Sequence, residues 1–262
     1  LKSKAISLVL AGGLIAAFIG PEISKYSFDF FPDYIYLASY LLAALIQIIN
    51  FVILIFIKID KPPPNKNLAR PLSNILVQKN LMIAILAAAV GYSLMSFIMT
   101  ATPLQIVNVC KLGDEVSATV IQWHIIAMFA PSFFTGFIIM KFGNKNVMLV
   151  GVLLYVISIS FTIIGQTFLN FWISLFLCGL GWNFLYVGGS DIIAKSASPE
   201  ERSKVQGVTD FIIFTFVATG SFLAGVLHTN IGWELMIIYT SFPIIILFIS
   251  ILVIKPHELS LR

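Results

Sequence analysis

The sequence predicts an all-α polytopic membrane protein, and three observations carry that prediction. Eight long apolar runs occur, at about residues 5–24, 34–57, 81–107, 117–140, 146–165, 168–190, 208–227 and 235–254. Each is long enough for a hydrocarbon core, which takes roughly 20 helical residues to cross. The chain is 59% hydrophobic and 11% charged, where a soluble domain carries about 25% charged residues; its mean hydropathy is +0.98. Of 16 Lys and Arg residues, all but Lys25 and Lys111 fall on one side of the eight-span pattern. A soluble core would leave these runs almost no amphipathic surface. Barrel strands would alternate rather than run continuously apolar.

The basic side is cytoplasmic by the positive-inside rule. An even number of spans then puts both ends in the cytoplasm. The net charge of +4 needs no nucleic-acid partner, because a basic membrane face accounts for it.

The first run follows Lys2 and Lys4 and ends on Gly20-Pro21-Glu22. It lacks a small-residue cleavage site and is read as a span rather than a signal peptide. The second run, 34–57, exits at Lys58. Residues 58–80 set Lys58, Lys61, Lys66, Arg70 and Lys79 against Asp60 alone, and Pro62-Pro63-Pro64 cannot continue a helix. Leu68, Leu72, Ile75 and Leu76 recur at helical spacing, which fits an amphipathic helix on the leaflet as well as a solvated linker.

The third run carries Tyr92, Ser93, Ser96, Thr100 and Gln105, and the fourth carries Gln122, Trp123, His124, Ser132 and Thr135. The fifth and eighth hold only scattered Ser, Thr and Tyr. The sixth has Trp182, Asn183 and Tyr186 among Gly179, Gly181, Gly188 and Gly189, and the seventh has Thr209, Asp210, Thr215, Thr219 and Ser221.

Laid over itself so that Gly20 meets Gly220, the chain brings Lys2-Ser3-Lys4 onto Arg202-Ser203-Lys204 and the run 34–57 onto 235–254. The natural unit is therefore six helices. The expected organisation is 1–57 as the last two helices of an N-terminal half, 58–80 as a basic cytoplasmic linker, and 81–262 as a complete C-terminal six-helix half. Four helices of the same protein are expected upstream, and the chain alone is not expected to transport.

Two six-helix units joined by a basic loop resemble the major facilitator superfamily, whose halves are built from inverted three-helix repeats. Local patterns support this over the whole chain, from the fifth to the twelfth family helix. Ala16-x-x-x-Gly20-Pro21-x-x-Ser24 is similar to the Gly-Pro pattern of the family's fifth helix, which is associated with antiporters, although Ala16 and Ser24 depart from it. Gly136, Lys141, Gly143 and Lys145 are similar to the short cytoplasmic loop motif, with Met140 in place of its Asp. Ser198-Pro199-Glu200-Glu201-Arg202 resembles the loop before the eleventh helix. The resemblance makes the third and sixth spans cavity-lining and the fifth and eighth peripheral.

It also implies secondary active transport of a small organic solute by alternating access, proton-coupled, in a bacterial plasma membrane, without a cofactor. The direction is left open. Tyr92, Ser96, Gln122, Trp123, Asn183 and Tyr186 are the cavity candidates. Asn183 leads, with Tyr186 three residues on and sharing its helix face; interhelical hydrogen bonding is the equally weighted alternative for Asn183.

Ionisable groups within spans are functional suspects, because burying charge in lipid is costly. Glu22 pairs with Lys25 on the simplest reading. His124 is the proton-coupling candidate, since imidazole titrates near neutral pH; a neutral, hydrogen-bonded His is the alternative. Asp191 and Asp210, with Lys195, Arg202 and Lys204 near them in sequence, are expected in a cytoplasmic charge cluster, and Glu200 and Glu201 are expected to cluster with Arg202 and Lys204. No phosphate-cradling loop, metal-spaced Cys or His pair, or nucleophilic triad is present. Cys110 and Cys178 read as small apolar residues. A polytopic membrane enzyme and a channel are the rival readings.

Overall fold

The computed structural model describes residues 2–27, 30–31, 33–34, 36–58 and 70–253, without the side chains of residues 2–11, 24 and 25. The expected Glu22–Lys25 pair, the Pro62–Pro64 segment, Leu68 and the C-terminal Lys255, His257 and Arg262 therefore lie outside the described groups.

All described elements are helices. They run α1 (Lys2–Ser27), α2 (Leu37–Phe56), α3 (Leu72–Leu76), α4 (Lys79–Pro103), α5 (Asp114–Phe129), α6 (Ser132–Phe142), α7 (Asn144–Ile164), α8 (Phe168–Ser196), α9 (Arg202–Ile231), α10 (Trp233–Tyr239) and α11 (Ser241–Leu252). Six are long and apolar enough to cross a membrane when α10 and α11 count as one span; α5 with α6, bent by 44°, adds a seventh. The first expected span coincides with α1, whose described apolar stretch is only Gly12–Ile23.

Proline explains two irregularities. Pro103 has no N–H to donate, so the helical ladder opens after it. The chain widens into a π-helical turn over Leu104–Val109, closed by Cys110 N–H donating to the Gln105 carbonyl at 2.8 Å. Pro131 likewise separates α5 from α6.

The core lies between α4, α5, α7, α8 and α9, with α8 at its centre. Glycines of α8 let three neighbours approach its backbone. A Cβ at Gly179 would sit 2.6 Å from the His124 carbonyl of α5, at Gly181 3.0 Å from the Gly151 carbonyl of α7, and at Gly189 2.8 Å from the Ala84 carbonyl of α4. Small residues at helix crossings serve this close approach in membranes. Polar side chains of α7 lock it to α4 and to α8: Tyr155 Oη donates to the Gly91 carbonyl at 2.6 Å, and Ser158 Oγ to that of Ser174 at 2.8 Å. The scattered Ser, Thr and Tyr of the fifth run thus belong to helix packing.

Helix α1 packs on α5, and α2 touches the rest through α1. Along α2 only Ala38 is buried, and apolar side chains are exposed all around. Such a surface fits lipid rather than water.

Candidate functional site

Four helices build one aromatic wall. Trp182 and Tyr186, one turn apart on α8, stack with ring centroids 5.1 Å apart and planes 9° from parallel. Tyr92 of α4 meets both edge-on, at 5.2 and 5.4 Å. Phe214 of α9 meets Tyr92 at 5.7 Å, and Phe129 of α5 meets Trp182 at 6.0 Å. Edge-to-face and offset contacts of this kind hold rings in fixed orientation. Tyr92 and Tyr186 are half-buried, and Phe214 is exposed. The wall therefore keeps part of its ring surface uncovered within the described residues. The Trp182 Nε1 donor is buried without an acceptor among the described residues.

Tyr186 consequently sides with Trp182, not with Asn183. The i+4 relation overlays rings more closely than i+3, which corrects the expected shared face. Asn183 is 0% exposed. Its Nδ2 donates to the Met128 carbonyl at 2.7 Å and to Ser132 Oγ, while its Oδ1 accepts from Thr135 Oγ1 at 2.6 Å. The amide thus spans the α5–α6 bend, holding both sides of it to α8.

The other cavity candidates scatter. Ser96 Oγ is hydrogen-bonded to Ser221 Oγ, joining α4 to α9. Gln122 faces α1 and, with Phe18, Ile19, Glu22 and Tyr26, lines a cavity of about 550 Å³. Trp123 is exposed and meets Trp172 edge-on at 5.8 Å, away from the wall. His124 is 0% exposed, and its Nδ1 lies 2.6 Å from the Leu175 carbonyl, so Nδ1–H donates. Its Nε2 has no partner among the described residues. The coupling candidate is therefore enclosed between α5 and α8.

The expected single charge cluster is three separate arrangements. Asp191 pairs with Lys195 one turn on and accepts from Asn144 Nδ2, which also donates to the Gly188 carbonyl. Asp210 accepts from Gln206 Nε2 at 2.8 Å and has no cationic partner among the described residues. Arg202 is exposed and contacts neither aspartate. Helix geometry separates them, because Asp191 meets Asn144 of α7 while Asp210 meets Gln206 one turn earlier on its own helix.

In the third arrangement Glu201 pairs with Arg70, outside the cluster expected for its loop. Glu201 is buried and accepts from Arg70 Nε at 2.9 Å, Arg70 Nη2 at 2.8 Å and the Arg70 and Ser198 backbone N–H groups at 2.9 Å. The Arg70 guanidinium, with the Ser198 N–H, holds the Glu201 carboxyl well below the usual carboxylate range, and Glu201 in turn raises Arg70. The two are 131 residues apart in sequence, and only the glutamate's place in a charged loop hinted at a partner.

The motif residues settle unevenly. Gly143 adopts φ +80° between α6 and α7, which a side chain would strain. Lys145 Nζ donates to the Leu252 carbonyl at 2.7 Å, tying α7 to α11. Lys141 lies 5.3 Å from the centroid of the Phe142 ring. A Cβ at Gly136 or at Gly20 would meet nothing within 4 Å, so the close approach implied beside Pro21 is not made within the described residues. At the other end of the bundle, His228 Nε2 lies 2.9 Å from Gln105 Oε1, and Gln105 Nε2 donates to Gln166 Oε1 at 2.6 Å. Cys110 Sγ also donates to Gln166 Oε1 at 3.1 Å, so Cys110 joins a polar chain rather than an apolar surface. No group of three or more metal-ligating side chains occurs among the described residues.

Long apolar helices locked by small residues and an aromatic wall define a multi-pass membrane protein of the helical-bundle class. The Major Facilitator Superfamily is matched over residues 81–261. A riboflavin transporter of Brucella anthropi is 36% identical over 259 residues, covering 97% of this chain and 65% of its own length. Two MFS-type transporters of Bacillus subtilis, YddS and YdeG, are 26% identical over 254 residues and 30% over 154. They align with 90% and 57% of this chain, which spans 58% and 35% of their lengths. The chain belongs to the Major Facilitator Superfamily, a family of transporters rather than enzymes.

Proposed function

We propose that the protein is a secondary carrier whose solute is riboflavin or a closely related flavin. The aromatic wall of Tyr92, Trp182, Tyr186, Phe129 and Phe214 carries this reading, because a flat tricyclic ring stacks on such a surface. The likeness to a riboflavin transporter supports it. In this reading residues 81–262 form one six-helix half, 1–57 contribute two helices of the other, and 58–80 join them. The solute crosses by alternating access, driven by the proton gradient across a bacterial plasma membrane, with the basic helix ends on the cytoplasmic side.

The test is uptake of labelled riboflavin by a riboflavin-requiring bacterium expressing the full-length protein. Saturable uptake with counterflow is expected, which also separates a carrier from a channel, and a protonophore should abolish accumulation. Tyr186→Ala should reduce uptake by about two- to tenfold or more at unchanged membrane abundance, since one aromatic stacking contact contributes about 0.5–1.5 kcal/mol beyond the lost area. Absence of flavin uptake at normal abundance would reject the cargo. Labelling of a cysteine placed at Lys204 from the cytoplasmic side alone is expected from the orientation.

A further inference from the structure

Three aspartate or glutamate side chains lie beyond the first turn of the described helices and call for an account: Glu22, Asp191 and Asp210. Glu22 is exposed on α1. Asp191 is neutralised by Lys195 and held by Asn144. Asp210 is different. It lies two turns into α9, half-buried, with Gln206 Nε2 as its hydrogen-bond donor and no cation against it among the described residues. A carboxylate without a cation inside an apolar run is a functional suspect.

Its position says what that is. Phe214, four residues on, occupies the same face of α9 and is the wall's contribution from that helix. Through Phe214 that face of α9 meets Tyr92 of α4 at 5.7 Å, and Tyr92 meets Tyr186 of α8 edge-on at 5.4 Å. Asp210 therefore lies at one end of the aromatic wall, on the side nearer Lys79 and Lys195, with free acceptor capacity on its two oxygens. A carboxylate accepts about four hydrogen bonds, and Gln206 supplies one.

We propose that Asp210 is a solute-recognition residue: the wall stacks a planar ring, and Asp210 accepts hydrogen bonds from hydroxyl groups on a chain attached to that ring. The proposal rests on the flavin reading above, because riboflavin joins a flat ring to a hydroxylated chain. It goes further by assigning the chain end of the cargo to a residue and by setting a rule of selectivity. A site built to bind a hydroxyl discriminates strongly against an analogue without one, since its polar group is then left unpaired.

The experiment compares riboflavin with lumiflavin, which has the same ring and a methyl group in place of the hydroxylated chain. Flavin fluorescence is titrated against the purified full-length protein and its Asp210→Ala and Asp210→Asn variants. The wild type is expected to prefer riboflavin by about tenfold or more, the size of a hydrogen bond to a charged group. Asp210→Ala should remove that preference while lumiflavin affinity changes less than about twofold. Asp210→Asn, which keeps size and one acceptor, should fall between. Equal losses for both flavins would make Asp210 a support of the wall and overturn the proposal, as would an unchanged preference in both variants. If the wild type binds neither flavin, the cargo reading fails and this inference fails with it; binding with an unchanged preference fails only the role of Asp210.

Discussion

At His124 and Gly179 the structure converts two sequence features into one packing contact. Gly179 leaves room for the His124 backbone of α5, and a methyl group there would sit 2.6 Å from the His124 carbonyl oxygen. Gly179→Ala should therefore lower the thermal stability of the detergent-solubilised protein, by about 1–3 kcal/mol for an overpacked core. Gly20→Ala, with open space around its new Cβ, should leave stability within about 0.5 kcal/mol. Equal melting temperatures for the two variants would contradict the packing. The imidazole beside Gly179 reaches the Leu175 carbonyl and no cavity. His124→Gln is thus expected to lower stability by about 1–3 kcal/mol through the lost buried hydrogen bond, and to leave the pH profile of uptake unchanged. A flattened profile at normal abundance would return the coupling role to His124. That His124 sits within a span was legible in the sequence. Which neighbour it meets was not, because the fourth run carries no mark of which face turns toward α8.

At the scale of elements, the α5–α6 bend is the most instructive. Pro131 marks the break in the sequence, but what holds the bend is Asn183 on another helix. Asn183→Ala would leave the Met128 carbonyl and the Ser132 and Thr135 hydroxyls short of partners, and an unmade buried hydrogen bond costs about 1–3 kcal/mol. We expect lost membrane abundance and lost transport together, measured by blotting and uptake in the same cells. Lost transport at full abundance would instead favour a direct cavity role. The positions of the long helices followed from hydropathy, whereas the breaks between α5 and α6 and between α10 and α11 interrupt runs expected to be continuous. The grouping of Trp182 with Tyr186 and the dispersal of Ser96, Gln122 and Trp123 depended on crossing angles, which hydropathy does not encode.

For the whole molecule, the Arg70–Glu201 clamp fastens the segment before α3 to the loop between α8 and α9. Glu201 has a depressed carboxyl in the folded state. Its contribution to stability is therefore fully present above the ordinary carboxylate value of 4.5 and is lost as pH falls below it toward the folded value. Melting temperatures of the wild type should drop more steeply below about pH 4.5 than those of Glu201→Gln, which has no carboxylate there to protonate. Parallel curves for the two proteins would show that the clamp contributes nothing measurable. Because Arg70 is half-exposed, solvent screens the pair, and the effect at neutral pH should be modest.

Hydrophobicity alone determined that this chain is a bundle of membrane-crossing helices. In lipid every backbone group must be satisfied within its own segment, so a long apolar run can become little else. The sequence also placed Tyr92 and Tyr186 among the cavity candidates and Asp210 within a span, because aromatic and charged groups stand out against an apolar background. Only the tertiary structure decided that Tyr186 joins Trp182 rather than Asn183, that His124 is enclosed, and that Asp191 is paired while Asp210 is not. The reason is that helix–helix contacts are set by small residues and by hydrogen bonds between segments far apart in the chain. Those contacts give no local signal until the helices have packed.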